Sequence, residues 1–327
     1  MMKAGDKVKL GRTDVTVTRL GLGSAPLSGL YTPVDESDAL GALDAAWRLG
    51  IRFFDTAPVY GYGLGETRVG KALRERPRPD FALGTKVGRL LRPDAPPERG
   101  GVFVGTPPVN PVFDFSYDGA MRSFEESRER LGIERVDILH IHDPDDHFEE
   151  ALSGAYRALD RLRRDGVIRA VGSGMNQAEM LTEFARRADF DCFLLAGRYT
   201  LLDQVGLKEL LPLCEKRGIA IIAAGVFNSG ILADPSSHPK FNYRDAPGEL
   251  VERVGRIRAV CERHGVPLRA AAVQFPLGHP AVRTVLVGCR SAAEVEDAVR
   301  MFETEIPSDL WSDLKAERLL PAEAPTP

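Results

Sequence analysis

Cysteine is scarce in this chain: four in 327 residues, at positions 192, 214, 261 and 289. No two are near enough to form a CxxC pair. That sets aside zinc ribbons, thioredoxin-like redox motifs and a disulfide-stapled secreted scaffold, and points to a reducing, cytoplasmic setting. Charge of one sign is also missing. Lys and Arg number 43 against 47 Asp and Glu, a net charge of −4, with no long block of either. A polybasic nucleic-acid binder and an acidic disordered tail are both excluded. The longest uncharged stretch, Gly218 to Ala233, has 16 residues and three glycines, too short to cross a bilayer, so no membrane partner is expected. Met1 to Leu10 is charged and has no apolar centre, unlike a secretory signal. What remains, 43% hydrophobic and 28% charged residues, is the make-up of an ordinary soluble enzyme, long enough to bury a full core.

Two alternating runs open the chain, Val8–Leu10 and Val15–Val17, joined by Gly11-Arg-Thr-Asp14, and read as a β-hairpin. Thereafter one theme repeats: a short β-rich run, a loop, an amphipathic helix. The expected strands are Leu20–Gly23, Arg52–Thr56, Phe81–Val87, Val136–His142, Ala170–Gly174, Cys192–Ala196, Ile219–Ala224 and Thr284–Gly288. The first expected helix is capped by Asp35 and runs to Leu49. Glu66–Arg74, Gly119–Leu131, Glu149–Arg164, Gln177–Arg187, Gln204–Lys216, Glu249–Arg263, Leu268–Leu277 and Ala292–Phe302 follow. Gly50, Gly132, Gly166, Gly218 and Gly265 stand where helices should stop in a left-handed turn. Eight strands alternating with helices is the count of an α/β fold of the (β/α)8 TIM-barrel type, here with an N-terminal β-hairpin. Near-continuous apolar runs such as Ile219-Ala-Ile-Ile-Ala-Ala224 suit strands buried on both faces. No Ser/Gly-rich linker divides residues 1–327, so one domain is expected. Gly88–Tyr117, Ala233–Gly248 and Pro307–Pro327 read as long loops, the first two after strands three and seven. In a barrel, loops that follow strands carry function.

Polar residues at the C-terminal ends of barrel strands are therefore the place to look for chemistry. Strand two ends in Asp55-Thr56-Ala57, with Tyr60 on the following loop; strand three ends in Thr85-Lys86-Val87; strand four ends in His140-Ile141-His142-Asp143. Each has a bland reading. A strand-end Asp caps a helix, a Tyr in a Gly-rich loop packs, a strand-end Lys snorkels, and one of the two His is structural. Their co-occurrence in one mouth argues otherwise, because several ionisable groups are costly to desolvate unless paired. The chemistry they can do is proton transfer at an oxygen. Tyr titrates near 10; a cationic Lys beside it is expected to lower that value, and an Asp holds the Lys charged. A His can orient a carbonyl or alcohol oxygen. None of these supplies a hydride, so redox chemistry here needs a cofactor.

The segment Gly50-Ile-Arg-Phe-Phe-Asp55-Thr-Ala-Pro-Val-Tyr60-Gly-Tyr-Gly-Leu-Gly-Glu66-Thr-Arg-Val-Gly70 resembles the aldo-keto reductase signature. Thr85-Lys86 and Ile141-His142-Asp-Pro144 are similar to that family's Lys and His segments, in order and at the matching strands. The resemblance covers nearly the whole chain. It implies a catalytic tetrad of Asp55, Tyr60, Lys86 and His142, with Tyr60 as acid or base, and NAD or NADP lying extended across the barrel mouth. A Rossmann reading of Gly21-Leu-Gly23-Ser-Ala-Pro26 fails because Pro26 stands where the third glycine belongs. Gly23 and Ser24 instead fall beside the cofactor.

Other cofactor segments are matched more loosely. Val171-Gly-Ser-Gly-Met-Asn176 is similar to the stretch that holds the carboxamide, with Gly174 in place of a serine and Asn176 displaced by one. The family's glutamine after strand six is missing from Leu195–Tyr199, where Arg198 or Tyr199 compensates. The loop Gly225-Val226-Phe227-Asn228-Ser229-Gly230 offers backbone N–H groups to a pyrophosphate; a plain barrel turn is the alternative. Gly288 and Arg290 begin the last helix and face the adenosine end. Glu294, one turn on, would repel a 2′-phosphate, which favours NAD slightly over NADP. These departures resemble a branch of D-threo-aldose (L-fucose) 1-dehydrogenases and pyridoxal 4-dehydrogenases, which oxidise a cyclic hemiacetal to a lactone. A small-molecule substrate is implied: an aldose such as L-fucose oxidised at C1, or alternatively pyridoxal, or an aldehyde or ketone reduced. The mouth is expected to hold Arg198, Tyr199, Asn228 and Tyr243 as polar or aromatic partners. His238, Phe241 and Tyr243 read equally as one pocket wall or as a solvated loop, and of Phe113, Phe115 and Tyr117 one or two are expected to pack as a helix staple and one to touch substrate. A non-enzymatic nicotinamide sensor and a Schiff-base aldolase using Lys86 are the competing classes. No metal is expected, and the oligomeric state is open.

Overall fold

A computed structural model describes residues 2–97, 100–235, 240–242 and 244–327. A hairpin of β1 (Lys7–Lys9) and β2 (Thr16–Thr18) opens the chain. β3 (Leu20–Gly23), α1 (Glu36–Arg48), β4 (Phe53–Asp55), α2 (Leu64–Leu73) and β5 (Ala82–Val87) follow. Next come a second hairpin, β6 (Arg89–Arg92) and β7 (Asn110–Phe113), then α3 (Tyr117–Leu131) and β8 (Ile138–His142). α4 (Phe148–Glu150) and α5 (Tyr156–Arg164) are joined by one π-helical turn. β9 (Ala170–Met175), α6 (Ala178–Arg187), β10 (Cys192–Ala196), α7 (Leu210–Arg217) and β11 (Ala220–Ala224) come after them. A two-residue ladder of β12 (Lys240–Phe241) and β13 (Arg244–Asp245) precedes α8 (Gly248–Arg263), α9 (Leu268–Gln274), β14 (Val282–Gly288), α10 (Ala292–Phe302) and α11 (Ser308–Ala316).

The strands β3, β4, β5, β8, β9, β10, β11 and β14 form a closed parallel barrel, each pairing with the next and β14 with β3. All eight expected strands are present. Their alternate residues fill the barrel: Phe53, Ile138, Cys192, Ile222 and Leu286 meet inside it. Leu10, Val15 and Val17 of the N-terminal hairpin join that same cluster and close one end. The larger core lies between barrel and helices, where Phe54, Leu83, Leu139 and Phe193 face the helix stripes. The five glycines expected to stop helices, Gly50, Gly132, Gly166, Gly218 and Gly265, all have positive φ.

Several expectations are corrected. Gly88–Tyr117 is not a plain loop, because β6 and β7 pair within it. Pro307–Pro327 contains α11, with Leu310, Trp311 and Leu314 buried. Asp35 sits at the first helix's N-cap but makes no side-chain capping bond; Ser116 and Ser291 do so on α3 and α10. The expected helix 149–164 is interrupted at Ala151–Ala155, where the Ala155 N–H donates to Phe115 O. Residues 204–216 divide into a 3-10 turn and α7, and α9 ends at Gln274 before a 3-10 turn containing Pro276. Among the described residues no helix is long and apolar enough to cross a membrane.

Candidate active site

Strand register places the first charges. Asp55 ends β4 opposite Gly84 of β5, where a Cβ would come within 3.0 Å of Asp55 Oδ2. Glycine there gives the carboxylate its room. Two residues on, Lys86 points into the same space. Its Nζ donates to Asp55 Oδ1 and, at 2.8 Å, to Thr56 O. Both side chains are buried. Asp55 and Tyr60 hold the Lys86 ammonium above its ordinary value against the pull of burial. Burial raises the Asp55 carboxyl, with Lys86 opposing.

Tyr60 arrives from a tight turn. Gly61, Tyr62 and Gly63 are all left-handed, and a Cβ on Gly61 would sit 2.3 Å from Ser28 O. The turn brings the Tyr60 ring centroid to 4.8 Å from Lys86 Nζ. It also sets that ring edge-to-face with His142 at 5.6 Å. The phenol is pushed up to about 12, chiefly by burial, with Lys86 opposing. This corrects the sequence expectation of a lowered value: desolvation outweighs the cation. His142 is buried at the end of β8 and its pKa lies well below 6.5, through burial first and then Arg89, Lys86 and His140. It is a neutral imidazole. His140, paired with Lys86 in register, is buried with neither ring nitrogen hydrogen-bonded. Gly172 on β9 leaves space for its ring, since a Cβ there would lie 2.2 Å from Nδ1.

Three residues of the mouth escaped sequence reasoning. Arg89 contacts His142 and Asp143; its signal was a cation directly after the strand-end glycine. Asp143 is the other partner of that contact. Phe103 lies 6.0 Å from the Tyr60 ring and 6.3 Å from Tyr62. Its segment is strapped to the loop after β3 by Tyr31 N–H to Val102 O (2.8 Å) and Val104 N–H to Gly29 O (2.9 Å). No periodicity marks that segment.

The cofactor candidates are placed as follows. Gly23 pairs with Gly288 and Asp55 at the strand ends, and a Cβ on Gly288 would strike Pro26 at 2.5 Å. This corner is shaped by missing side chains. Ser24 is buried and engaged within the fold: its hydroxyl donates to Thr56 Oγ1 at 2.8 Å, its N–H donates to Asp55 O at 2.9 Å, and its carbonyl accepts from Ser28 Oγ at 2.7 Å. Asn176 donates from Nδ2 to Ala196 O (2.8 Å) and keeps Oδ1 as an acceptor. Gly225 is exposed and left-handed, Val226 is in the core, and Phe227, Ser229 and Gly230 are half-buried. The Gly230 N–H already donates to Phe227 O (3.0 Å), so that amide is not available to a pyrophosphate. Glu294 accepts the Arg290 N–H at 2.8 Å and donates its own N–H to Ser291 Oγ at 3.3 Å. The carboxylate thus sits at the N-terminus of α10, with Arg290 exposed beside it.

Two expected mouth residues are turned away. Tyr199 is buried against Phe275 and His279. Asn228 is also buried; it accepts from Thr200 Oγ1 (2.6 Å) and donates to Gly197 O (3.1 Å). Arg198 is half-buried and bonds Asn242 Oδ1 at 2.9 Å. Phe115 is in the core, Tyr117 is exposed on α3, and Phe113 stacks on Phe115 and His147. Phe241 is half-buried; His238 and Tyr243 lie outside the described residues.

A closed parallel barrel with a Tyr, a Lys–Asp pair and a neutral His at its mouth defines an oxidoreductase barrel of nicotinamide type. The chain belongs to the aldo/keto reductase family, whose model matches residues 19–317. It is 47% identical to a pyridoxal 4-dehydrogenase of Microbacterium luteolum, over 98% of this chain and 99% of that one. It is 41% identical to a D-threo-aldose 1-dehydrogenase of a Pseudomonas species, over 94% and 96%. Among solved structures, the holo form of an aldo-keto reductase from Bacillus halodurans superposes with a TM-score of 0.75 at 28% identity, covering 99% of this chain and 98% of that one. The protein is an NAD(P)-dependent oxidoreductase acting on small molecules.

Proposed function

We propose that the protein oxidises the hydroxyl of a cyclic hemiacetal to a lactone, with Tyr60 taking the hydroxyl proton and NAD the hydride. The observation that carries this reading is the placement of Lys86, bonded to Asp55 and 4.8 Å from the Tyr60 ring. A fixed cation there stabilises the tyrosinate the reaction needs. The O–H proton passes to the Tyr60 oxygen as the C–H bond breaks and the C=O of the lactone forms; a bound nicotinamide would accept the hydride. His142, neutral, donates a hydrogen bond to the same substrate oxygen. In the reverse direction Tyr60 returns the proton to a carbonyl. Because its phenol titrates at about 12, oxidation accelerates as the pH rises.

The residues present fit a nicotinamide dinucleotide. Gly23, Gly225 and Gly288 leave backbone uncovered at the strand ends, Asn176 keeps a free acceptor for a carboxamide, and Arg290 is exposed for the adenosine end. When bound, the nicotinamide supplies the hydride acceptor. The Glu294 carboxylate beside Arg290 disfavours a 2′-phosphate, so NAD is the preferred cofactor.

The substrate we favour is the cyclic hemiacetal of pyridoxal. The case for an aldose rested on a mouth rich in polar partners, and two of them, Tyr199 and Asn228, face inward. Phe103 instead covers Tyr60 with an aromatic face. The more similar of the two relatives carries the pyridoxal name. Oxidation of an aldose such as L-fucose at C1 is the second reading, favoured by the polar rim of Arg89, Asp143 and Arg198. Initial rates of NAD reduction with pyridoxal, L-fucose and other D-threo-aldoses, with the product identified by mass, test this. Lactone from pyridoxal at the highest kcat/KM is the expected result. Preference for an aldose moves the assignment to the second reading, and turnover of neither refutes hemiacetal oxidation.

A further inference from the structure

Arg89 belongs to no barrel strand, yet it reaches the centre of the mouth. Gly88 turns the chain at the end of β5 with φ +110°. It lies so close to Phe115 that a Cβ would come within 2.2 Å of the ring. Only glycine fits there, and the turn aims the next side chain at the end of β8. The guanidinium rests over the Phe113 ring at 4.9 Å, and the side chain is 12% exposed. Nη1 is 3.3 Å from His142 Nδ1 and Nη2 is 3.2 Å from Asp143 Oδ2. Asp143 is itself fixed: its backbone is left-handed (φ +43°) and its N–H donates to Gly174 O at 3.0 Å.

We propose that Arg89 is a positioning residue that sets the tautomer of His142, keeping the imidazole proton on Nε2. A guanidinium is donor-only and does not deprotonate in proteins. The ring nitrogen that faces it must therefore present its lone pair. A neutral imidazole has one N–H, so if Nδ1 accepts, Nε2 donates. Arg89 also adds a positive charge beside the ring, together with Lys86 from β5. His140 precedes it on β8, Tyr60 packs against it, and Asp143 and Asp145 follow it. The cations and burial keep the imidazole unprotonated. The outcome is a single defined donor on Nε2, which in this structure faces Asp143 Oδ2 at 3.4 Å and which hemiacetal oxidation as proposed above turns to the substrate oxygen. The inference rests on that reading for its purpose, while the tautomer itself does not depend on it.

Long-range proton–nitrogen NMR of the full-length protein labelled at histidine decides the matter, with the His142 signals assigned by their loss in His142→Gln. The expected spectrum is a neutral ring with hydrogen on Nε2. In Arg89→Met the second tautomer should appear and protonation should set in at higher pH, because the neighbouring cation is gone. For the best substrate of the panel, kcat should fall about 10- to 100-fold, the loss of one charge-assisted hydrogen bond, with cofactor affinity unchanged. Arg89→Lys, which keeps one cationic donor, should recover part of the loss. Hydrogen on Nδ1 in the wild type overturns the proposal, as does an Arg89→Met variant with unaltered tautomer and unaltered kcat. If Arg89→Met does not fold, the wild-type and Arg89→Lys spectra still decide. A wild-type protein that shows Nε2–H and oxidises no hemiacetal refutes the proposed function and leaves the tautomer assignment standing.

Discussion

Replacing Lys86 by Met keeps the length of the side chain and removes its charge. Lys86 Nζ lies 4.8 Å from the Tyr60 ring centroid. At an effective dielectric of about 20, two unit charges at that distance interact by about 3.5 kcal/mol. Each 1.4 kcal/mol is about a factor of ten in an ionisation equilibrium, so losing the cation moves the phenol further above its already raised value. The tyrosinate fraction at any neutral pH then falls roughly 300-fold, and kcat for oxidation should fall with it. Cofactor affinity, read by fluorescence quenching, should not change. Stability should respond separately. Lys86→Met leaves Asp55 buried without its partner, which costs about 3–5 kcal/mol, whereas replacing both members of such a pair costs little. The double variant Asp55→Asn/Lys86→Met should therefore recover most of the unfolding free energy in urea while remaining slow. Asp55 and Tyr60 hold Lys86 above its ordinary 10.5, so the pair's contribution is full below that value and fades only as the pH rises through the raised one. Without Lys86, burial raises the Asp55 carboxyl further, so the deficit of the single variant should grow as the pH rises above the ordinary carboxylate range. Turnover of Lys86→Met within about tenfold of wild type at neutral pH, or a double variant no more stable than the single one, would refute this reasoning.

Two further outcomes are expected. Glu294→Gln keeps an acceptor for the Arg290 N–H and removes the charge, so kcat/KM with NADP should gain on that with NAD by about tenfold; an unchanged ratio in steady-state assays would show that Glu294 does not set the preference. Phe103→Ala removes the ring that covers Tyr60, so KM for pyridoxal should rise about tenfold while the dissociation constant of NAD holds. An equal loss in both would place Phe103 on the cofactor side.

The barrel was legible because each of its strands is a short apolar run set apart by turns, as in Ile219–Ala224, and because glycines such as Gly132 punctuate the helices. The strand pair inside 88–117 was not legible. Each strand has four residues, the second contains Pro111, and the pairing is between distant segments. α11 did carry a signal, Pro307 followed by the apolar spacing Leu310, Trp311 and Leu314, which is a helix start by the usual rules. For the candidate site, strand-end position and the signature together led to Asp55, Tyr60, Lys86 and His142, and the structure brings these four into one mouth. The direction of the Tyr60 shift was hidden because burial belongs to the packed mouth and not to any motif. The loop residues were hidden for a similar reason. Tyr199 and Asn228 differ from Arg198 only in which way an irregular backbone turns them, and left-handed φ at Asn228 and Ser229 has no sequence period.

The most direct measurement is the turnover of Tyr60→Phe on pyridoxal with NAD, beside the dissociation constant of NAD for the same variant. The ring and its contacts with Phe103 and His142 are kept and only the hydroxyl is lost. If Tyr60 carries the proton, kcat falls by about 10²–10⁴ while cofactor affinity stays at the wild-type value, and the rise of rate with pH disappears. A variant that retains more than about half of the wild-type activity contradicts it: the proton then travels by another group.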